Sequence, residues 1–547
     1  MERALLWEGS VNWIERFFVL LLILPIIGLL DDALGRYSGV SWAQGLERLW
    51  DEPALIDSLI LSLWVASVSL VISLFIARAI SAKTLQAKDS QVWRSVLLAM
   101  PHSALAVGLL LALSAGGVGW RWIAVFFELP LDQQYLFPRD PWGVGMILSL
   151  VIKESAFLIA IAIPMTKRLP LRSYQVIARQ AGLTQIQFHH QLIWPQVIRL
   201  MYPAIFVVFV FGLTNLEVSL ILGPDQPQLI GVRLFQLLTD PNALNRQAGA
   251  LGLLIVLALL LAVWGVFHRL TRPCVKYRLP DVMALTSWAT VLRWALITVT
   301  WLSIASLVIW AVTLRWSVFE PLPDVSLAAL TSIKSLASPF WASLLIGLTT
   351  SVIAIVLAVC ILEYLVSKGQ RRLHWIWWAF LWLPALPMAS GLLAWIYFFG
   401  GSPGFWPVII GHTLIALPYV MIVVSDSWFD RDWRHEMLLK QANLPVWRRI
   451  FLIWMPRNSR LLVLAFALAF AVSCALYTQT MLLGGGRIET LMTELMVTVG
   501  GERRSAALTG LVNLLLPLIA FGLALWVNRI SWRHRAGMQG EGYADFR

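Results

Sequence analysis

The sequence predicts an all-α integral membrane protein of about 12 transmembrane helices, arranged as two parallel six-helix repeats. Three observations predict it. Apolar residues make up 59% of the chain and charged residues only 13%, against roughly 25% charged in an ordinary soluble domain. Long apolar runs recur throughout, several of them without a charge, for example 247–267 and 461–484. A helix needs about 20 such residues to cross a bilayer, whose core offers no water to satisfy the backbone. Finally, short motifs recur at fixed separations between the two halves of the chain.

In chain order the candidate spans are roughly 14–30, 54–77, 95–115, 143–164, 200–222, 247–267, 294–314, 339–366, 373–400, 405–425, 461–484 and 505–528. The first could pass for a secretory signal. Asp31-Asp32 follows it and no small-residue cleavage site does, so it reads as a retained span. Twelve spans put both termini on one side. With the N-terminus in the cytoplasm, inside segments hold 30 Lys and Arg and outside loops 11, with Lys153 inside a span. This is the asymmetry of a multi-pass protein of the bacterial inner membrane, so the net charge of +12 reports topology and implies no nucleic acid. Several of the 29 tryptophans (Trp120, Trp122, Trp142, Trp375, Trp377, Trp378, Trp406) fall near span ends, where their rings suit the headgroup layer.

The repeat is legible in particular residues. Arg179-Gln180-Ala181-Gly182-Leu183 recurs 261 positions later as Lys440-Gln441-Ala442-Asn443-Leu444; Pro195 and Pro456, and Leu222-Gly223 and Leu483-Gly484, share that offset. Upstream, Pro101-x6-Gly108-Leu109-Leu110 recurs as Pro384-x6-Gly391-Leu392-Leu393, 283 positions later. The longer outside loop of the first half, about 116–142, accounts for the difference. The expected units are residues 1–270 and 287–547, joined by a cytoplasmic linker at 271–286, with a pathway between them.

Two strongly basic inside loops, 165–199 and 426–460, stand at matching places. In the first, Gly182 is followed by Leu192 at plus ten and Pro195 at plus thirteen; in the second, Asn443 is followed by Ile453 and Pro456 at the same spacing. Gly or Asn permits a helix end with positive φ, and Pro suits the first turn of the next helix. At these residues the sequence resembles the EAA loop of bacterial ABC-importer permeases: Glu-Ala-Ala, three residues, Gly, nine residues, Ile, one residue, Leu-Pro. It departs from that pattern in having Val176-Ile177-Ala178 and Met437-Leu438-Leu439 for the triplet, and Trp194 and Met455 before the prolines.

The resemblance covers most of the chain and looks like the fused permeases of ferric-iron and thiamine importers and their relatives. It implies the ABC importer permease fold and a non-enzymatic translocation subunit without a cofactor. It implies that Ala178, Gln180, Ala181, Gly182, Leu192 and Pro195, with Gln441, Ala442, Asn443, Trp447, Ile453 and Pro456, form coupling loops for two copies of a cytoplasmic ABC ATPase. Trp447 is a candidate apolar knob for the ATPase groove, with Ile186 at its matching place. A periplasmic solute-binding protein is the third component. No G-x-x-x-x-G-K-[ST] phosphate loop occurs, so ATP hydrolysis belongs to another chain.

The notable charges inside spans are Lys153 and Glu154, deep in the fourth, and Glu217, near the outer end of the fifth. Each costs at least about 2.5–3.5 kcal/mol on insertion scales, so each calls for a partner or a pathway role. Lys153 and Glu154 point about 100° apart on a helix and need not pair with each other. Glu217 either lines the outer vestibule and favours a cationic solute, or bonds backbone at a broken helix. The rival reading is a twelve-span secondary carrier, but the G-x-x-x-D-R-x-G-R-R loop of the large facilitator family is missing from 78–94. Eight scattered histidines and three cysteines suggest neither a metal site nor an enzyme.

Overall fold

The computed structural model describes residues 13–36, 39–84, 97–127, 137–271, 288–317, 320, 322–373, 376–431, 437–439, 441–442 and 444–533. Apart from Thr271, the expected linker lies outside the described residues, as do Trp375, Lys440 and Asn443. The first half runs α1 (Trp13–Ala33), α2 (Trp42–Trp50), α3 (Leu55–Thr84), α4 (His102–Leu113), α5 (Val118–Phe126), α6 (Val144–Lys167), α7 (Leu171–Gln180), α8 (Gln185–Phe188), α9 (Trp194–Thr214), α10 (Glu217–Leu222), α11 (Ile230–Thr239) and α12 (Ala243–Thr271). The second runs α13 (Ala289–Val312), α14 (Ala337–Ser367), α15 (Ile376–Trp382), α16 (Ala385–Phe398), α17 (Phe405–Phe429), α18 (Val446–Arg449), α19 (Met455–Ala475), α20 (Tyr477–Gly484), α21 (Leu491–Thr498) and α22 (Arg503–Arg533). A two-stranded antiparallel hairpin, Thr313–Arg315 with Asp324–Val325, follows α13.

Among the described residues, ten helical stretches are long and apolar enough to span a membrane. The other two expected spans are α1, an apolar helix of 21 residues, and the run containing α16, which has only 14. The span expected at 373–400 is broken between Trp382 and Ala385, because Pro384 has no N–H to continue the ladder. Pro101 breaks the matching span in the first half, where α4 starts at His102. Both fifth spans depart from expectation too. Helix begins well before 200 and 461, at Gln185 and Val446, and each run is interrupted near its far end, at Asn215–Leu216 and at Leu476.

In each half the second, fourth and fifth spans pack into one three-helix core: α3 with α6 and α9, and α14 with α17 and α19. The first spans are exchanged. α1 lies along α16 of the second half, and α13 lies along α4 of the first. The recurring glycines sit where these crossings are tightest. A Cβ on Gly108 would lie 2.5 Å from the Ser303 carbonyl oxygen, and one on Gly391 would lie 1.8 Å from that of Pro25. Each crossing also carries side-chain hydrogen bonds. Trp395 Nε1 donates to the Leu24 carbonyl at 2.6 Å, and Trp310 Nε1 donates to that of Leu111 at 3.3 Å. The exchange corrects one sequence expectation: Trp377 is fully buried, its ring 4.7 Å from that of Phe18 on α1. Trp122, Trp142 and Trp406 are well exposed, as interfacial rings are.

Candidate functional site

The two basic loops leave the same end of the bundle, called here the basic end. In the first, α7 ends in a Schellman cap. Gly182 (φ +65°) donates its N–H to the Arg179 carbonyl at 3.1 Å, and Leu183 donates to that of Ala178 at 2.9 Å. Thr184 and Gln187 then form a capping box that starts α8. Between α8 and α9 the chain does not leave the helix. Residues His189–Ile193 form a π turn, closed by the Trp194 N–H on the His189 carbonyl. Pro195, buried, follows at the first turn of α9. The wider turn eases the carbonyls before a residue that cannot donate. Tyr174 Oη donates to Gln196 Oε1 at 2.9 Å, tying α7 back to α9. Ala178 is buried beneath α7 and Leu192 is half-buried in the π turn. Gln180, Ala181 and Gly182 face outward, with Val176 and Ile177 exposed beside them.

The second loop repeats this run. α18, a π turn at Ile450–Trp454 and α19 begin and end 261 residues after α8, the first π turn and α9. Met455 N–H closes the second π turn on the Ile450 carbonyl, and half-buried Pro456 follows. Ile453 is half-buried, while Gln441 and Ala442 are exposed. Trp447 is 57% exposed with the Arg448 guanidinium 5.1 Å from its ring; Ile186, its counterpart, is half-buried. Val446, Phe451 and Leu452 extend the exposed apolar surface around Trp447.

Beneath each loop a buried cation anchors it to the second span of its own half. In the first half, Arg78 Nε on α3 donates to His190 Nδ1 at 3.0 Å, and Ser81 lies 3.4 Å from His189 Nε2. In the second half, Arg431 bonds Glu363 on α14 at 2.6 Å, and its guanidinium lies 4.2 Å from the Trp454 ring. Sequence reasoning missed these anchors. His189-His190 was the visible signal, but a buried partner on another span cannot be read from spacing. Between the halves, Arg168 at the end of α6 pairs with Asp426 in the last turn of α17.

The intramembrane charges take up loose ends left by helix breaks. Lys153 Nζ donates to the carbonyls of Leu97 and Met100, just ahead of Pro101. Glu154 Oε1 lies 3.2 Å from Nε2 of His102, the first residue after that break. The two adjacent charges therefore hold opposite sides of one interruption. Glu217 Oε1 accepts from the Tyr477 N–H and the Thr478 hydroxyl, both at 3.4 Å. Thr478 stands 261 residues after Glu217, so matching positions of the two halves meet at this point. His412, unremarked in the sequence as a chemical group, is buried between Ser473 (2.8 Å) and Thr480 (3.0 Å).

No family model matches the chain. It is similar to the inner membrane ABC transporter permease protein YnjC of Escherichia coli (strain K12), with 29% identity over 445 residues that span 79% of this chain and 81% of that one. It is similar also to the thiamine transport system permease protein ThiP of Salmonella typhimurium, with 25% identity over 520 residues, 89% of this chain and 91% of that one. The ThiP of Escherichia coli (strain K12) is 23% identical over 508 residues, 86% of this chain and 89% of that one.

Proposed function

We propose that this chain, the inner-membrane permease subunit of an ABC importer, forms its translocation pathway between two six-span units, residues 1–270 and 287–547. The protein is a transport subunit rather than an enzyme, and it works with an ATPase and a binding protein. In our reading both termini are cytoplasmic, so the basic end faces the cytoplasm. Each basic loop then receives one copy of the ATPase, and the binding protein meets the opposite end.

One observation carries this reading. Two loops lead into helical runs whose bounds match residue for residue at an offset of 261, π turn included. Each loop exposes apolar side chains, Val176 and Ile177 on α7 and Val446, Trp447, Phe451 and Leu452 in the second run. A rigid run from the loop across most of the membrane acts as a lever. Displacement of α8 or α18 by a closing ATPase pair moves α9 or α19 as one body. Those levers end at the breaks where Glu217 meets Tyr477 and Thr478, so a push at the basic end reaches the contact between the halves. Glu217 in this reading lines the pathway and parts from Thr478 when it opens. Arg168–Asp426 closes the basic end between transport cycles.

The test is to purify the tagged chain with its partners and quantify them. Two ATPase subunits per permease, lost when both loops are mutated, is the expected result. A chain that purifies alone yet supports gradient-driven uptake is a secondary carrier, and the reading fails. Thiamine, named for the ThiP relatives, is the first solute to try.

A further inference from the structure

The break at Leu476, between α19 and α20, is held from outside its own run. His412 on α17 reaches both sides of it. Its Nδ1 lies 2.8 Å from Ser473 Oγ, before the break, and its Nε2 lies 3.0 Å from Thr480 Oγ1, after it. The hydroxyls fix the direction of both bonds. Thr480 donates its hydrogen to the Leu476 carbonyl at 2.7 Å, so towards the imidazole it accepts, from Nε2–H. Nδ1 is then the acceptor, and Ser473 donates to it. A neutral imidazole with its proton on Nε2 satisfies all three side chains, each of them buried. α17 also lies tight against α20, since a Cβ on Gly411 would sit 2.4 Å from Leu483 Cδ1.

The first half is built differently at the matching place. Val151, Gly212 and Ser219 stand 261 residues before His412, Ser473 and Thr480. Valine and glycine can make no such side-chain bonds. The break at Asn215–Leu216 is stitched within its own run: Asn215 Oδ1 accepts from the Val218 N–H at 2.7 Å, and Ser219 Oγ donates to the Asn215 carbonyl. Among the described residues, α6 offers Ser219 only the Met146 sulfur at 3.6 Å, a weak acceptor on one side of the break. We propose that His412 is a positioning residue that makes α19 and α20 one rigid unit. The second run then carries a displacement past its break to Thr478, while the first bends at Asn215–Leu216. The two halves have unequal roles: the second drives the contact at Glu217, and the first yields to it. That division rests on the coupling reading above; the clamp itself does not.

Hydrogen exchange read by mass spectrometry, on the tagged chain with its co-purified ATPase, tests it. His412→Val removes both bonds and installs the side chain that the first half carries. One hydrogen bond of ordinary strength is worth about fivefold in a local opening equilibrium, and two about 30-fold. Amides 476–480 should therefore exchange about 30-fold faster in H412V, and about fivefold faster in S473A, which keeps the Thr480 side. Amides 461–472 should be unchanged in both. T413V, which removes a neighbouring buried hydroxyl outside the clamp, should match wild type. With 15N-labelled histidine, the signals lost in H412V should report a proton on Nε2 and none on Nδ1. Equal exchange in wild type and H412V, a rise in T413V as large as that in H412V, or a proton on Nδ1 overturns the proposal. ATPase capture checks that each variant is folded, and S473A carries the test if H412V fails it. Trapping the ATPase with ATP and vanadate should change exchange across 217–222 in wild type, and at least threefold less in H412V. No change in wild type removes only the coupling reading; an equal change in both overturns the role given to His412.

Discussion

Gly391→Ala adds one methyl group and should be among the more damaging small substitutions in the protein. The new Cβ would lie 1.8 Å from the Pro25 carbonyl oxygen, 2.5 Å from its carbonyl carbon and 2.8 Å from its Cα. All three atoms are backbone of another span, so no side chain can rotate away. Restoring ordinary contact at about 3.4 Å requires α1 and α16 to separate by roughly 1.6 Å along their crossing. That separation lengthens the Trp395–Leu24 hydrogen bond and loosens Trp377 against Phe18. Overpacking of this kind costs about 1–3 kcal/mol, and loss of the hydrogen bond adds about 1 kcal/mol. The assay is detergent-titrated unfolding followed by tryptophan fluorescence, with Gly522→Ala as control. Gly522 lies in α22 and a Cβ there meets nothing within 4 Å, so that change should be neutral or stabilising by up to about 1 kcal/mol. Gly108→Ala should behave like Gly391→Ala, because its Cβ would press on the Ser303 backbone. If Gly391→Ala unfolds within about 0.5 kcal/mol of wild type, as an unconstrained surface change would, the exchanged packing of the first spans is wrong.

The other predictions concern the loops and the buried charges. Gly182→Val with Asn443→Ile should leave the bundle folded but raise the ATP hydrolysed per solute transported. A Cβ at Gly182 touches nothing, so the damage is confined to its φ of +65°, about 1–2 kcal/mol for an L-residue; unchanged coupling in the double variant counts against the loop assignment. Glu363→Leu should destabilise by about 3–5 kcal/mol by stranding Arg431, and Arg431→Met added to it should recover most of that loss in the same unfolding assay. No recovery would mean that Arg431 acts mainly through its stacking on Trp454. Lys153→Met should lower the yield of folded protein by leaving two carbonyls uncapped, at about 1–3 kcal/mol each. A Lys153→Met variant as stable as wild type would show that water or another group takes over.

The sequence showed where the chain is interrupted better than why it is. Pro101 and Pro384 were legible as matching marks, and each does break a helix. Gly108 and Gly391 were legible as part of the same motif. Their reason was not, because each meets a span from the other half of the chain, and no local pattern encodes a partner that far away. Gly182 at a positive φ was readable from its residue type. The π turns before Pro195 and Pro456 were not, since proline signals a helix start or a kink and does not specify how the preceding carbonyls are accommodated. Lys153 and Glu217 were flagged by the cost of an intramembrane charge. Their partners were backbone groups freed by breaks in other helices, which exist only once the fold exists.

The crossing of α1 with α16 also sets a timetable. Roughly 350 residues separate Ala33 from Ala385, and at about 5–20 residues per second the ribosome needs on the order of 20–70 s to make them. For that interval the first span sits in lipid with the face around Pro25 and Gly28, which packs against Gly391 of α16, uncovered. The earlier half therefore cannot finish folding before the later one is inserted. Synthesis and maturation of this protein are a single event, and a truncated translation product has an unfilled seam for quality-control proteases to find.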